Sequence, residues 1–187
     1  MSDQAIIVTR ITSFWQGSSD FLKYLSINNT YLKNLELLIF VNRMMYWTDW
    51  GSNPKIENAA MDGSSRRTIV TGSLRWPNGL TIDRTTNLLY WADAKLDKIE
   101  VSNLNGGNRR VIKSSSANIH PFGLTVYKGM LYWTDWIRRS ISRYDLSSGN
   151  TNVIITGLRR PMDIHLYDSS AKVSGILHLF QCLVQKK

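Results

Sequence analysis

Tyr46-Trp47-Thr48-Asp49, Tyr90-Trp91-Ala92-Asp93 and Tyr132-Trp133-Thr134-Asp135 are three copies of one tetrapeptide, 44 and 42 residues apart. Two further series keep the same step. Pro77, Pro121 and Pro161 open the segments Trp-Pro-Asn-Gly-Leu-Thr-Ile-Asp, His-Pro-Phe-Gly-Leu-Thr-Val-Tyr and Arg-Pro-Met-Asp-Ile-His-Leu-Tyr, and turn signals recur at Asp62-Gly63, Asn105-Gly106 and Ser148-Gly149. A period of this size belongs either to helical repeats of the HEAT type or to four-stranded blades. Local patterning decides between them. Within one unit, residues 79–83, 88–92, 97–102 and 109–113 are short β-branched or aromatic runs bounded by Asn, Asp and Gly. No window offers ten residues of helical periodicity. Each unit is therefore four strands, A to D, with Tyr-Trp-x-Asp ending strand B and Asp-Gly or Asn-Gly turning C into D. Sheets of this kind repeated radially make a β-propeller.

The landmarks have physical roles in that arrangement. Gly79 and Gly123 fall at the start of the innermost strand, where blades crowd together and a side chain would collide. Side chains alternate along a strand, so Tyr and Trp of the motif face the two neighbouring blades. Asp49, Asp93 and Asp135 stand at strand ends, where a carboxylate accepts backbone N–H bonds in a turn. Tyr46, Trp47, Asp49, Tyr90, Trp91, Asp93, Tyr132, Trp133 and Asp135 are thus structural. The repeat covers residues 42–168 as three blades plus the first strand of a fourth. Residues 1–41 and 169–187 lie outside it, with Leu35 to Val41 the candidate for strand A of the first blade.

Composition narrows the function classes. With 43% hydrophobic and 20% charged residues among 187, neither disorder nor a membrane-embedded class is favoured. The longest apolar runs fall far short of the ~20 residues a span requires, and no secretory signal peptide or anchor is evident. Cys182 is the single cysteine, so no internal disulfide forms. Asn28-Asn29-Thr30 is a glycosylation sequon that matters only in a secreted chain. The formal charge of +9 includes the pairs Arg66-Arg67, Arg109-Arg110, Arg138-Arg139 and Arg159-Arg160. Without a basic helix or an RNP-like motif they do not indicate nucleic acid. A solvated basic rim, attractive to acidic proteins or sulfated glycans, is the reading of these pairs.

Tyr-Trp-Thr-Asp at this period, followed by Lys-Ile-Glu, Asp-Gly and Arg-Arg, resembles the low-density lipoprotein receptor class B repeat. Tyr46 to Asn53 and Trp76 to Asp83 are most similar to the propellers of the receptor-related proteins, including the Wnt co-receptor branch. The resemblance implies a six-bladed propeller of which this chain supplies about half, usually followed by an EGF-like module. It implies a location on the extracellular side of the plasma membrane and protein binding without catalysis, cofactor or metal. The partners implied are secreted Wnt-pathway or lipoprotein-type ligands, in co-receptor signalling or endocytic uptake. Two alternatives stay open: a nidogen-like matrix module, and a truncated fragment that does not fold stably.

By the same resemblance, Trp76, Asn78, His120 and Trp136 match positions that contribute to a ligand-binding face. A histidine in the matching segment of the lipoprotein receptor takes part in acid-dependent release, which an imidazole with a pKa near 6.5 suits. With three histidines in the whole chain, a switch cluster is doubtful. An enzyme propeller would need carboxylates and a base converging on the channel. Asp83 and Asp163 are not at equivalent sites, and no hydrolase or phosphate-loop motif occurs.

Overall fold

The β-rich runs pair into three antiparallel sheets. The computed structural model describes residues 43–114 and 119–165 and, before them, strand β1 (Ile7–Thr9) and strand β2 (Leu35–Val41). The first sheet has the order β1-β2-β3-β4-β5, with β3 Met44–Asp49, β4 Lys55–Ala60 and β5 Arg67–Val70. The second is β6 (Pro77–Asp83), β7 (Leu88–Asp93), β8 (Lys98–Asn103) and β9 (Arg110–Ser114). The third is β10 (Pro121–Tyr127), β11 (Met130–Asp135), β12 (Ser140–Asp145) and β13 (Thr151–Ile155). The fold is a partial all-β propeller. Sequon Asn28, Cys182 and residues 169–187 lie outside the described residues.

Register repeats from blade to blade. Leu35, Pro77 and Pro121 pair with the motif aspartates Asp49, Asp93 and Asp135, each followed by a register shift. The shift is a bulge that bends the inner strand where it starts. Strands run up to two residues longer than the pattern 79–83 and 88–92 suggests, because the ladder includes the proline and the aspartate. Leu35 to Val41 does occupy the inner position of the first blade, paired with β3.

The blades are joined by two apolar clusters. Tyr46, Ile56 and Val70 of the first blade meet Leu80, Leu89 and Trp91 of the second. Tyr90, Ile99 and Val101 of the second meet Leu124, Leu131 and Trp133 of the third. The motif thus works in both directions, its Tyr facing the next blade and its Trp the previous one. Trp91 is 0% exposed, and removing a ring so buried costs about 3–5 kcal/mol. Crowding at the inner strands is severe. A Cβ on Gly79 would sit 2.5 Å from Phe122 O, and one on Gly123 2.6 Å from Met162 O.

Two arginines are part of this scaffold. Arg109 grips Glu100 with Nε and Nη2 at 3.0 and 2.9 Å, and its guanidinium lies 5.4 Å from the Trp91 ring centre. Trp91 Nε1 donates to the same carboxylate at 3.2 Å, and Lys98 Nζ is 2.9 Å from it. Arg109 also reaches Thr71 O, Gly72 O and Ser73 O in the loop leaving the first blade. The first blade repeats the unit with Arg66 on Glu57, Lys55 beside it and Arg66 over Trp47. Burial pushes the Glu57 and Glu100 carboxyls up, but hydrogen bonds and charge from the arginine and lysine outweigh it, leaving both below the usual range. The basic-rim reading fails for Arg109, whose charge is spent on Glu100 within the blade, whereas Arg66 pairs with Glu57 and stays 38% exposed. Arg67 Nε likewise donates to Asn58 Oδ1.

The third blade departs from the pattern. Ser142 lies opposite Trp133 where Glu100 lies opposite Trp91, and Thr151 stands nine residues on, where the other blades have arginine. Trp133 Nε1 is buried without a partner among the described residues, as is Trp47 Nε1 in the first blade. All five residues of β13 are exposed. The segment Pro161–His165, expected as the first strand of a fourth blade, has no ladder pairing among the described residues. It packs beside Gly123 of β10, and Thr134 Oγ1 of β11 donates to Met162 O at 2.8 Å.

Candidate ligand-binding end of the blades

Strands A and C begin, and B and D finish, at one end of the sheets, and all four sequence-predicted residues lie there. The motif aspartates build that end. Asp93 Oδ2 accepts Arg75 N at 2.7 Å, while Oδ1 accepts Trp76, Lys95 and Leu96 N, each at 3.1 Å. Asp135 accepts His120 N at 3.3 Å and Arg138 N at 2.8 Å. Asp49 accepts Gly51 N at 3.0 Å. One carboxylate thus fixes both its own turn and the peptide leading into its blade. That peptide carries Trp76 in one blade and His120 in the next.

Trp76 is 39% exposed and meets Trp50 edge to face, ring centres 6.2 Å apart at 74°. Lys95 Nζ stands 5.2 Å from the Trp76 ring. Asn78 is half-buried, one residue into β6. In the third blade Trp136 stacks on Phe122 at 4.6 Å and 7°, and donates from Nε1 to Pro161 O at 2.8 Å. The His120 ring centre is 6.0 Å from that of Trp136, and its Nδ1 is 3.3 Å from Asp97 Oδ1. The four residues form two groups, Trp76 with Asn78 and His120 with Trp136. The turn 94–97 bridges them through Lys95 and Asp97.

Sequence reasoning missed Trp50, Phe122 and Asp97. The signal for Trp50 was present, since Trp50 and Trp136 both directly follow the motif aspartate, a position that Ala94 fills in the second blade. Nothing in the repeat distinguishes Asp97, whose role depends on the angle between two blades.

At the opposite end a cleft of about 700 Å³ opens between the second and third blades, lined by Tyr90, Arg110, Lys128 and Tyr144 among others. Burial, then the nearby Asp83 charge, raises the Tyr90 hydroxyl. Asp145 is held at about 2 by hydrogen bonds from Ser147 and Ser148. Among the described residues no group of three or more His, Cys, Asp or Glu could hold a metal ion, and no helix is long and apolar enough to cross a membrane.

The repeat matches a family model, "Low-density lipoprotein receptor repeat class B", over residues 43–84 and 87–128. The first two blades are low-density lipoprotein receptor class B repeats. Two proteins similar to these blades are receptors. The chain is 37% identical over 124 residues to the vitellogenin receptor Yl of Drosophila melanogaster, and 37% identical over 129 residues to the vitellogenin receptor of Solenopsis invicta. Those alignments take in 66% and 68% of this chain but 6% and 7% of the receptors. Among solved structures, a chain of the nidogen–laminin complex is 39% identical with a TM-score of 0.53, over 58% of this chain and 41% of that one. A calcium-binding regucalcin from Agrobacterium tumefaciens superposes with a TM-score of 0.56 at 15% identity, over 65% of this chain and 44% of that one. At that identity the likeness concerns the fold alone.

Proposed function

We propose that these class B blades form part of a non-catalytic, extracellular propeller that binds secreted protein ligands at the end carrying Trp76, Asn78, His120 and Trp136. The observation that carries the reading is that the scaffold is spent on holding this end. Asp93 and Asp135 use their carboxylates to pin the peptides bearing Trp76 and His120. An indole held exposed on a rigid support, as Trp76 is, suits an interface centre, where fixed aromatic groups dominate binding energy. The kinship with vitellogenin receptors favours uptake of a lipoprotein-type ligand over Wnt co-receptor signalling.

A second reading is a matrix role, favoured by the 39% identity to a chain of the nidogen–laminin complex. One experiment addresses both. Vitellogenin, a secreted Wnt antagonist and laminin are passed over the immobilised chain and over its Trp76→Ala and Trp136→Ala forms. Uptake-type function expects vitellogenin binding that weakens at least about tenfold on loss of Trp76, the scale of a hot-spot residue. Selective laminin binding supports the matrix role. Binding indifferent to both tryptophans refutes the assignment of this end.

A further inference from the structure

Charge at the same end is lopsided in a way that composition does not show. Its carboxylates are occupied: Asp49, Asp93 and Asp135 face backbone amides, and Asp97 lies against His120. Asp163, at the edge of this end, pairs with His165 at 2.7 Å. Glu57 and Glu100, which neutralise Lys55 and Lys98, belong to the blade interior. The cations are disposed differently. Arg75, Lys95, Arg139, Arg159 and Arg160 are all exposed, and none makes an ion pair among the described residues. Arg139 Nε donates to Leu158 O at 3.0 Å, which ties its turn to the loop carrying Arg159 and Arg160 while leaving the charge uncompensated.

These cations are interleaved with apolar surface. The exposed apolar groups of this end are Trp76 at 39% and Leu96 at 37% in the second blade and Ile137 at 57% in the third. The patch is continuous: Trp50 meets Trp76, Lys95 lies over Trp76, Asp97 reaches His120, His120 meets Trp136, and Trp136 holds Pro161, next to Arg160.

We infer that the ligand of this end is an acidic protein segment, one that alternates Asp or Glu with aliphatic or aromatic side chains. The inference rests on the binding end proposed above and specifies its partner. Carboxylates would meet five uncompensated cations, and apolar groups would cover Trp76, Leu96 and Ile137. A basic ligand would face repulsion across the whole end, which excludes it more strongly than any single contact selects for it. A sulfated glycan would satisfy the cations but leave the exposed apolar groups uncovered.

The test is selection of random displayed dodecapeptides on the purified 187-residue chain, keeping clones that fail to bind the Trp76→Ala form. Circular dichroism verifies that every variant stays folded. Selected peptides are expected to be net acidic with apolar residues between the carboxylates. Their affinity should fall at least about tenfold from 50 to 500 mM salt, as exposed charge pairs are screened. It should also fall at least about tenfold in Arg159→Glu/Arg160→Glu and in Lys95→Glu. Neutral or basic selected peptides overturn the acidic-ligand inference and leave the binding end standing. A failure to recover any Trp76-dependent clone overturns both. A heparin oligosaccharide that displaces the peptides, and itself binds Trp76→Ala undiminished, assigns the cations to glycan and likewise overturns the inference.

Discussion

Replacing Arg109 by alanine removes one side chain from three jobs at once. Glu100 is 3% exposed and would keep Lys98 and the Trp91 indole but lose both guanidinium bonds. Truncating one partner of a buried pair costs about 3–5 kcal/mol because the other charge is stranded. Here the remaining ammonium and the partial exposure of Arg109 pull the figure toward 3. The carbonyls of Thr71, Gly72 and Ser73 also lose their donor, although solvent replaces it in that exposed loop. Arg66→Ala repeats the chemistry in the first blade, where Arg66 bonds Glu57 and lies over Trp47. Its side chain is also more exposed, 38% against 23%, so about 1–2 kcal/mol is expected for a more solvated pair. The assay is urea unfolding followed by tryptophan fluorescence, with unchanged slope as the check that the same transition is observed. A double change, Glu100→Met with Arg109→Met, should recover most of the loss, since an apolar pair strands no charge. Equal costs for Arg66→Ala and Arg109→Ala, or a double variant worse than either single one, would refute the reasoning.

Other consequences can be checked in the same way. Gly79→Ala should cost about 3 kcal/mol by forcing apart two blades, whereas Gly129→Ala, at φ 73° with open space around it, should cost about 1–2 kcal/mol from backbone strain alone; thermal melts of the two compare them. Glu57 and Glu100 have folded pKa values below that of an ordinary glutamate, so their stabilisation is complete above about pH 4.5 and is lost as pH falls through the lower folded values. Glu100→Gln should therefore flatten the stability–pH curve below about pH 4.5, as measured by denaturant midpoints across pH 3–7. Ser142→Glu alone should destabilise the third blade by burying a charge, and adding Thr151→Arg should reverse this, with a coupling of about 2 kcal/mol in a double-mutant cycle.

The fold was legible because its signals are local and repeated. Tyr-Trp-x-Asp, the Pro-led segment and the C–D turn each report a position in the blade, and their common period needs no contact information. Even Leu35 to Val41, outside the repeat, could be placed by the strand the first blade would otherwise lack. Arg109 was misread because a paired Arg in a sequence looks the same whether it faces water or a buried glutamate. Arg109 reaches Glu100 nine residues away, and then a loop of the previous blade, a relation fixed only by how sheets stack. The ligand end was legible residue by residue but not as a surface. Trp76, Asn78, His120 and Trp136 follow from motif positions, while Asp97 against His120 and Trp50 against Trp76 depend on the angle between neighbouring blades.

The hold of Arg109 on Thr71, Gly72 and Ser73 falls on backbone oxygens alone. Side-chain identity in the gripped loop is then free to drift, provided the chain still takes left-handed turns at Gly72 and Ser73, with φ of 66° and 48°. A blade that clasps its neighbour in this way does not need to co-vary with it. At this joint the matching of side chains is then left to the apolar cluster between the two blades, while the loop itself can change without loosening the clasp.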